Sequence, residues 1–423
     1  MGFTTLPKMD SKSPRILMFA PLCYPPAGSE AIVTSKLVLA MIEEGWKIKV
    51  ISQADFGHYY PTTDNDHWTP LPSVVKNISG INEKGLMARL LRPTLTNRVK
   101  TISWVVKAIF AGFVAAKREK YDFILSRVAP QYGHLPALIV SRIVKIPWIA
   151  NWSDPMPPQN APPPYGGGLQ AKVSLLSDIY CKAIFRTADW HTFPCERLMR
   201  YYWKIFPELE AKSSVIPHIA LKRFRMTQRG AKNVFSICHT GGITLRDPSV
   251  FFAGLKRFLV ESKPTEAVRV VFIGHPCDEI QAKVQEAGVG DTVRVELPKT
   301  YEETQLTAAA SSVLVVIEAS CEEGIFFPSK FVDFVQTGRP ILAISPKVGT
   351  LCDILPAHGG GIAVDCRSPE AVFVALSALY KEWKDGNIDD KYGSERLYNL
   401  FSEDHVLDIY IKLFDRLAIR EFS

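Results

Sequence analysis

Glu322-Glu323-Gly324-Ile325-Phe326-Phe327-Pro328-Ser329-Lys330-Phe331-Val332-Asp333-Phe334-Val335-Gln336-Thr337-Gly338-Arg339-Pro340-Ile341-Leu342 reads as a loop, a helix opened by Pro328 and a strand reached through Gly338 and Pro340. Lys330 and Asp333, three residues apart on the first turn, share one face of that helix. The backbone N–H groups of the same turn have no helical partner and attract anions. A seat of this kind suits a charged ligand that also carries hydroxyl groups.

Outward from that stretch, short apolar runs alternate with helical patterns, as parallel sheets built from βαβ units require. Strands are expected at 16–20, 47–52, 123–126, 148–151 and 190–193, and again at 234–238, 268–274, 292–295, 313–318, 340–344 and 361–364. A helix over 30–44 ends at Gly45, as a C-terminal glycine would end it. The two series meet in the polar, basic segment 222–230, which suits a linker. At 423 residues the chain is too long for one core. We therefore expect two α/β domains with Rossmann-like parallel sheets, 1–221 and 222–402, facing a cleft, and a final helical stretch, 403–423. The ligand belongs in the cleft, at the C-terminal ends of the strands.

Each half opens with a strand and a glycine-containing turn. The first turn holds Gly28 and Ser29; the second holds Gly241 and Gly242, with Arg246 as the nearest cation. Glycine there lets a ligand approach the backbone. Neither turn is a P-loop or a dinucleotide fingerprint. At another strand end stands Asp154, in Asn151-Trp152-Ser153-Asp154-Pro155, either a carboxylate at the cleft rim or the opener of an Asp-Pro turn. The Pro- and Gly-rich run 157–168 that follows suggests a mobile lid over an acceptor. His134 also follows a strand, as a proton carrier or as a structural histidine.

The 322–342 stretch resembles the nucleotide-sugar signature of family-4 glycosyltransferases, in which a Pro-Ser-Lys-like turn leads into a helix carrying a glutamate. That resemblance implies a GT-B fold, a last helix that crosses back to the first domain, and retention of anomeric configuration without metal or other cofactor. It implies donor binding by Gly241, Gly242, Arg246, Ser329, Lys330 and Asp333, and an acceptor-side loop at Gly28 and Ser29. Family members often carry two glutamates eight residues apart. Asp333 takes the second position, Ile325 stands at the first, and Glu323 is two residues out of register. Asp154, His134 and Glu323 are the catalytic candidates. The implied partners are a nucleotide sugar and a glycan or lipid-linked acceptor, as in surface polysaccharide assembly. A GT-B sugar-nucleotide epimerase and a catalytically degenerate GT-B binding subunit are the alternatives.

Composition agrees with a large reduced enzyme. Hydrophobic residues make up 47% and charged residues 22%, which excludes disorder. Eight scattered cysteines form no Cys-x-x-Cys pair and suit buried thiols. The net charge of +7 favours anionic partners. Between Lys84 and Arg118 there are eight basic residues and no acidic one, and Ile102, Val105, Val106, Ile109, Phe110, Phe113 and Val114 recur at helical spacing. The apolar positions are expected to pack on the first sheet. The basic excess, with Leu86, Met87, Leu90 and Leu91 beside Arg89 and Arg92, suits an anionic membrane surface rather than nucleic acid. No export signal is read at the start, and Lys107 interrupts the best candidate for a membrane span. The expected location is the cytoplasm, peripherally on the inner face of the membrane.

Overall fold

A computed structural model describes residues 13–54, 61, 66–79, 93–226 and 229–420. The first sheet contains β1 (Arg15–Phe19), β2 (Lys47–Gln53), β3 (Val75–Ile78), β4 (Phe123–Arg127), β5 (Trp148–Asn151), β6 (Trp190–Phe193) and β7 (Ser213–Val215), in the spatial order β3-β2-β1-β4-β5-β6-β7. The second is built from β8 (Val234–Thr240), β9 (Ala267–Ile273), β10 (Val293–Glu296), β11 (Val313–Ile317), β13 (Ile341–Ser345) and β15 (Gly361–Asp365), ordered β10-β9-β8-β11-β13-β15. Two short segments, β12 (Glu323–Gly324) and β14 (Val348–Gly349), pair with each other beside the second sheet. Every strand pairing among the described residues is parallel, as in β1 with β4 and β11 with β13. Central strands such as β4, β11 and β13 are buried along their whole length, which is why they read as unbroken apolar runs.

In both sheets the strand order reverses next to the first strand of the domain, between β1 and β4 and between β8 and β11. A crevice opens outside the carboxyl ends of the strands at such a point. The helix Ser29–Glu43 follows β1, and its chain leaves through Gly45 at φ +82°. One face of the first sheet is covered by the helices Pro93–Arg118, Leu135–Val144, Leu175–Thr187 and Glu196–Ile205, over a core of Trp104, Trp148, Trp152, Phe185 and Tyr202. The other face is covered by Ser29–Glu43 and by the terminal helix Glu403–Arg420, whose Phe414 stacks on Phe123 at 4.3 Å between ring centroids and meets Trp46 at 5.5 Å. Each such fully buried aromatic side chain contributes about 1.5–3 kcal/mol, enough to seat this helix on the first domain.

Three expectations need correction. The segment 222–230 is not a free polar linker where it is described. Phe224 is buried between Trp68 and Tyr301, at 4.9 and 5.0 Å, and Arg225 lies over the Tyr398 ring; Thr227 and Gln228 fall outside the described residues. The apolar stripe of Pro93–Arg118 splits in two. Trp104, Val105, Ala108 and Ala115 are buried, while Ile102, Val106 and Phe110 face outward with 63%, 59% and 69% exposure. By length and composition, Arg98–Arg118 does suffice to cross a bilayer despite Lys107, yet its inner side is part of the first domain's core. Lys84, Leu86, Met87, Arg89, Leu90, Leu91 and Arg92 lie outside the described residues.

Candidate functional site

A cleft of about 670 Å³ opens where the carboxyl ends of the two sheets face each other. Ser29, Glu30, Ser153 and Asp154 belong to its first-domain wall; Gly241, Gly242, Arg246, Glu318, Ser329, Lys330 and Asp333 belong to the second.

The second-domain wall is the more strongly charged. Gly241 adopts φ +81° after β8, and its N–H donates to the Ile273 carbonyl at 2.8 Å. A Cβ at Gly241 would lie 3.2 Å from Lys330 Nζ, a tight contact that glycine avoids where the lysine lies over this turn. Lys330 Nζ donates to the Thr240 carbonyl and lies 3.4 Å from His239 Nε2. Burial, and then the positive charge of Arg246, push the Lys330 ammonium well below its ordinary range; the Asp333 charge opposes them. Burial and the same two cations keep His239 neutral. Arg246 donates to the Gly242 carbonyl at 3.0 Å. The helix Ser329–Thr337 begins at Pro328 with no side-chain cap; the Phe331 N–H donates to the Pro328 carbonyl at 2.9 Å, while the N–H groups of Ser329 and Lys330, both of which line the cleft, have no partner among the described residues. Two mutually repelling cations beside a glycine turn and a helix start are chemistry suited to a polyanion.

Carboxyl groups face these cations. Glu318 directly follows β11 with 6% exposure, and the Ser345 hydroxyl donates to its Oε2. Burial raises its pKa to about 7, against the influence of Ser345 and Arg246. Asp154 is also raised to about 7, by burial and then by the Glu30 charge, with Arg246 opposing. Solvent in the cleft reaches Asp154, which tempers that rise. Glu30 itself accepts from Arg127 Nη2 and from the Ser153 hydroxyl, each at 3.2 Å. Asp333 Oδ1 accepts from Lys36 Nζ at 2.9 Å and from the Tyr301 hydroxyl at 2.8 Å.

Of the residues singled out in the sequence, Ser29, Asp154, Gly241, Gly242, Arg246, Ser329, Lys330 and Asp333 line this one cleft. Gly28 sits just behind it, where its carbonyl accepts the Ile32 N–H at 2.9 Å. His134 is elsewhere. The turn Gln131–His134 runs straight into the helix Leu135–Val144 and points the ring inward, fully buried, 4.4 Å from the Trp152 ring, with Nδ1 bonded to Ser126 Oγ at 2.7 Å. Burial and the Arg127 charge lower its pKa to about 3, so the ring is neutral near pH 7. Glu323 also stands apart from the cleft lining. The β12–β14 pairing turns it toward the helix Glu196–Ile205, where it lies 2.9 Å from Arg197 Nη1, and the same arginine bonds Asp353.

The sequence reading passed over Glu30, Glu318 and Tyr165. Glu318 could have been noticed as the first ionisable residue after the all-apolar run Val313–Ile317. Tyr165 belongs to the expected lid, and its ring meets Phe326 of the second domain at 4.6 Å. That loop is not irregular throughout. It contains the turn Pro158–Asn160 and is closed by Gly167 N–H to the Gln159 carbonyl at 2.9 Å and by the Tyr201 hydroxyl donating to the Asn160 carbonyl at 2.6 Å.

No family model and no characterised protein sequence matches the chain. Solved structures do resemble it over almost its full length. A glycosyltransferase from Rickettsia africae ESF-5 superposes with a TM-score of 0.66 at 10% identity, over 97% of this chain and 99% of the other. Sucrose-phosphate synthase from Thermosynechococcus elongatus gives 0.66 at 15% identity, covering 96% and 100%. A UDP-N-acetylglucosamine 2-epimerase gives 0.58 at 14% identity, covering 96% and 97%. The fold is GT-B.

Proposed function

We propose that the protein is a glycosyltransferase that moves a sugar, with retention, from a nucleotide diphosphate donor to a glycan or lipid-linked acceptor, in the assembly of a surface polysaccharide. The observation that carries this reading is the convergence of Lys330, Arg246 and the Gly241-Gly242 turn on one wall of an interdomain cleft whose other wall offers Asp154 and Glu30. In this reading the diphosphate lies between the two cations at the start of Ser329–Thr337, where positive charge stabilises the departing phosphate. Asp333 accepts ribose hydroxyls through its free oxygen. Asp154, in its ionised form, orients or receives the proton of the attacking hydroxyl. No metal takes part. The protein acts in the cytoplasm, on the inner face of an anionic membrane that presents the acceptor, and the 84–118 region supplies the contact.

The test is incubation with a panel of nucleotide sugars, following nucleoside diphosphate release with and without lipid-linked acceptors. Release that depends on the acceptor supports the transferase. Interconversion of a donor with its epimer would replace it with the second reading, a sugar-nucleotide epimerase, which is supported by the likeness to the epimerase structure and by the buried Glu318 carboxyl, raised to about 7. Nucleotide binding with neither outcome would indicate a binding subunit, in keeping with Ile325 at the position of the family's first glutamate.

A further inference from the structure

Lys36 is the only charged residue in the fully buried run Val33–Met41 of the helix Ser29–Glu43, and it is 2% exposed. Its ammonium crosses from the first domain to the second and ends on Oδ1 of Asp333, at 2.9 Å. The Tyr301 hydroxyl donates to the same oxygen at 2.8 Å, and Gln336 Nε2 donates to that hydroxyl at 3.0 Å. Gln336 Oε1 in turn accepts the Leu221 N–H at 2.9 Å, where the chain passes between the domains. Oδ2 of Asp333 has no partner among the described residues, and the side chain keeps 15% exposure where it lines the cleft.

Stability alone does not explain this arrangement. Withdrawing an ammonium from water is costly, and apolar residues of similar volume usually serve a core as well or better. Two donors on one carboxylate oxygen do achieve orientation. They fix the side-chain rotamer and turn the second oxygen toward the cleft. The helix that supplies Lys36 also supplies Ser29 and Glu30 to the opposite wall.

We propose that Lys36 is a positioning residue of the donor site. It holds Asp333 so that Oδ2 receives the vicinal hydroxyls of a nucleotide ribose, and it ties that contact to the helix that begins the acceptor wall. This inference rests on the nucleotide-sugar reading above and names a residue that acts through Asp333 without touching the ligand.

The experiment is calorimetric titration of UDP and GDP, each against its 2′,3′-dideoxy counterpart, into wild-type protein, Lys36→Met and Tyr301→Phe. Wild type should prefer the better-bound ribonucleotide over its dideoxy form by about tenfold or more, the worth of hydrogen bonds to a charged acceptor. Lys36→Met should lose that preference by weakening the ribonucleotide alone, leaving dideoxy binding unchanged as proof that the fold is intact. Tyr301→Phe, which keeps volume and burial, should lose part of it. Equal weakening of both ligands, or an unchanged preference in both variants, overturns the role given to Lys36. If wild type binds neither UDP nor GDP, the nucleotide-sugar reading fails first and this inference falls with it.

Discussion

Lys330 and Arg246 donate to backbone carbonyls and neutral groups and form no ion pair among the described residues, so both keep donors for an anionic ligand although Asp333, Asp154 and Glu318 lie within electrostatic reach. Replacing either by alanine should weaken nucleoside diphosphate binding by ~1.5–3 kcal/mol, the worth of a charge-assisted contact, while the thermal midpoint stays near wild type. Unchanged affinity in both variants would remove the donor assignment. Glu318 gives a pH signature. Its folded carboxyl titrates near 7 rather than 4.5, so between those values the folded chain holds a proton that the unfolded chain has released. The stability gained is fully present below about pH 4.5 and is lost as pH rises through 7. Glu318→Gln should therefore melt above wild type at pH 8, by on the order of 1–3 kcal/mol, with the margin vanishing near pH 4.5. A margin that does not change with pH would mean that Glu318 is ionised in the fold. Such residues differ in how far a sequence discloses them. Lys330 and Asp333 are legible because helical spacing fixes their common face. His134 is not, since nothing local says that Trp148 and Trp152 will close over it.

The turn after β8 shows how one element serves both fold and site. Gly241→Ala should cost about 1–2 kcal/mol of stability from its φ of +81°. It should also weaken nucleoside diphosphate binding beyond that, because the new methyl group stands 3.2 Å from Lys330 Nζ and obliges it to shift by a few tenths of an ångström. Parallel denaturation and titration separate the two effects; a loss of stability with unaltered affinity would mean that the lysine does not depend on the turn. Elements are legible in proportion to their burial. The central strands of both sheets announce themselves as apolar runs because both faces are covered. The edge strands of the first sheet do not. Val75-Lys76-Asn77-Ile78 and Ser213-Ser214-Val215 are half-exposed and polar, and they become strands only because β2 and β6 offer them a ladder. The two-residue segments β12 and β14 leave no periodic trace at all, which is why the displacement of Glu323 was invisible.

At the scale of the whole molecule, the first domain presents a face that its own packing does not use. Ile102, Val106 and Phe110 stand one turn apart on the outside of Pro93–Arg118, and Arg98 and Lys117 fall on the same side at helical spacing. The neighbouring helices add exposed Ile143, Leu175, Leu176 and Ile179, together with exposed Arg142 and Arg186 and the ion pair of Lys182 with Asp178. The sequence disclosed the positive charge and the apolar content of Pro93–Arg118 but assigned Ile102, Val106 and Phe110 to the core, because a stripe this wide has no local mark of which half meets the sheet. Apolar side chains ringed by cations suit an anionic bilayer. Wild type should therefore co-sediment with phosphatidylglycerol vesicles at low salt and release as ionic strength rises, since the field decays over ~10 Å at 0.1 M. Each basic residue near such a surface contributes ~1 kcal/mol, so Arg98→Glu with Lys117→Glu removes about 2 kcal/mol and adds repulsion, more than ~30-fold in partition. Ile102→Ser with Phe110→Ser should weaken binding without altering its salt dependence, because it removes buried apolar area and leaves the charge in place. Both pairs should keep nucleoside diphosphate affinity, as none of the four residues lines the cleft. A wild-type protein that stays in the supernatant at low salt would shift the acceptor from a membrane lipid to a soluble glycan. If that protein also sediments as a dimer, a second copy covers this face in place of lipid.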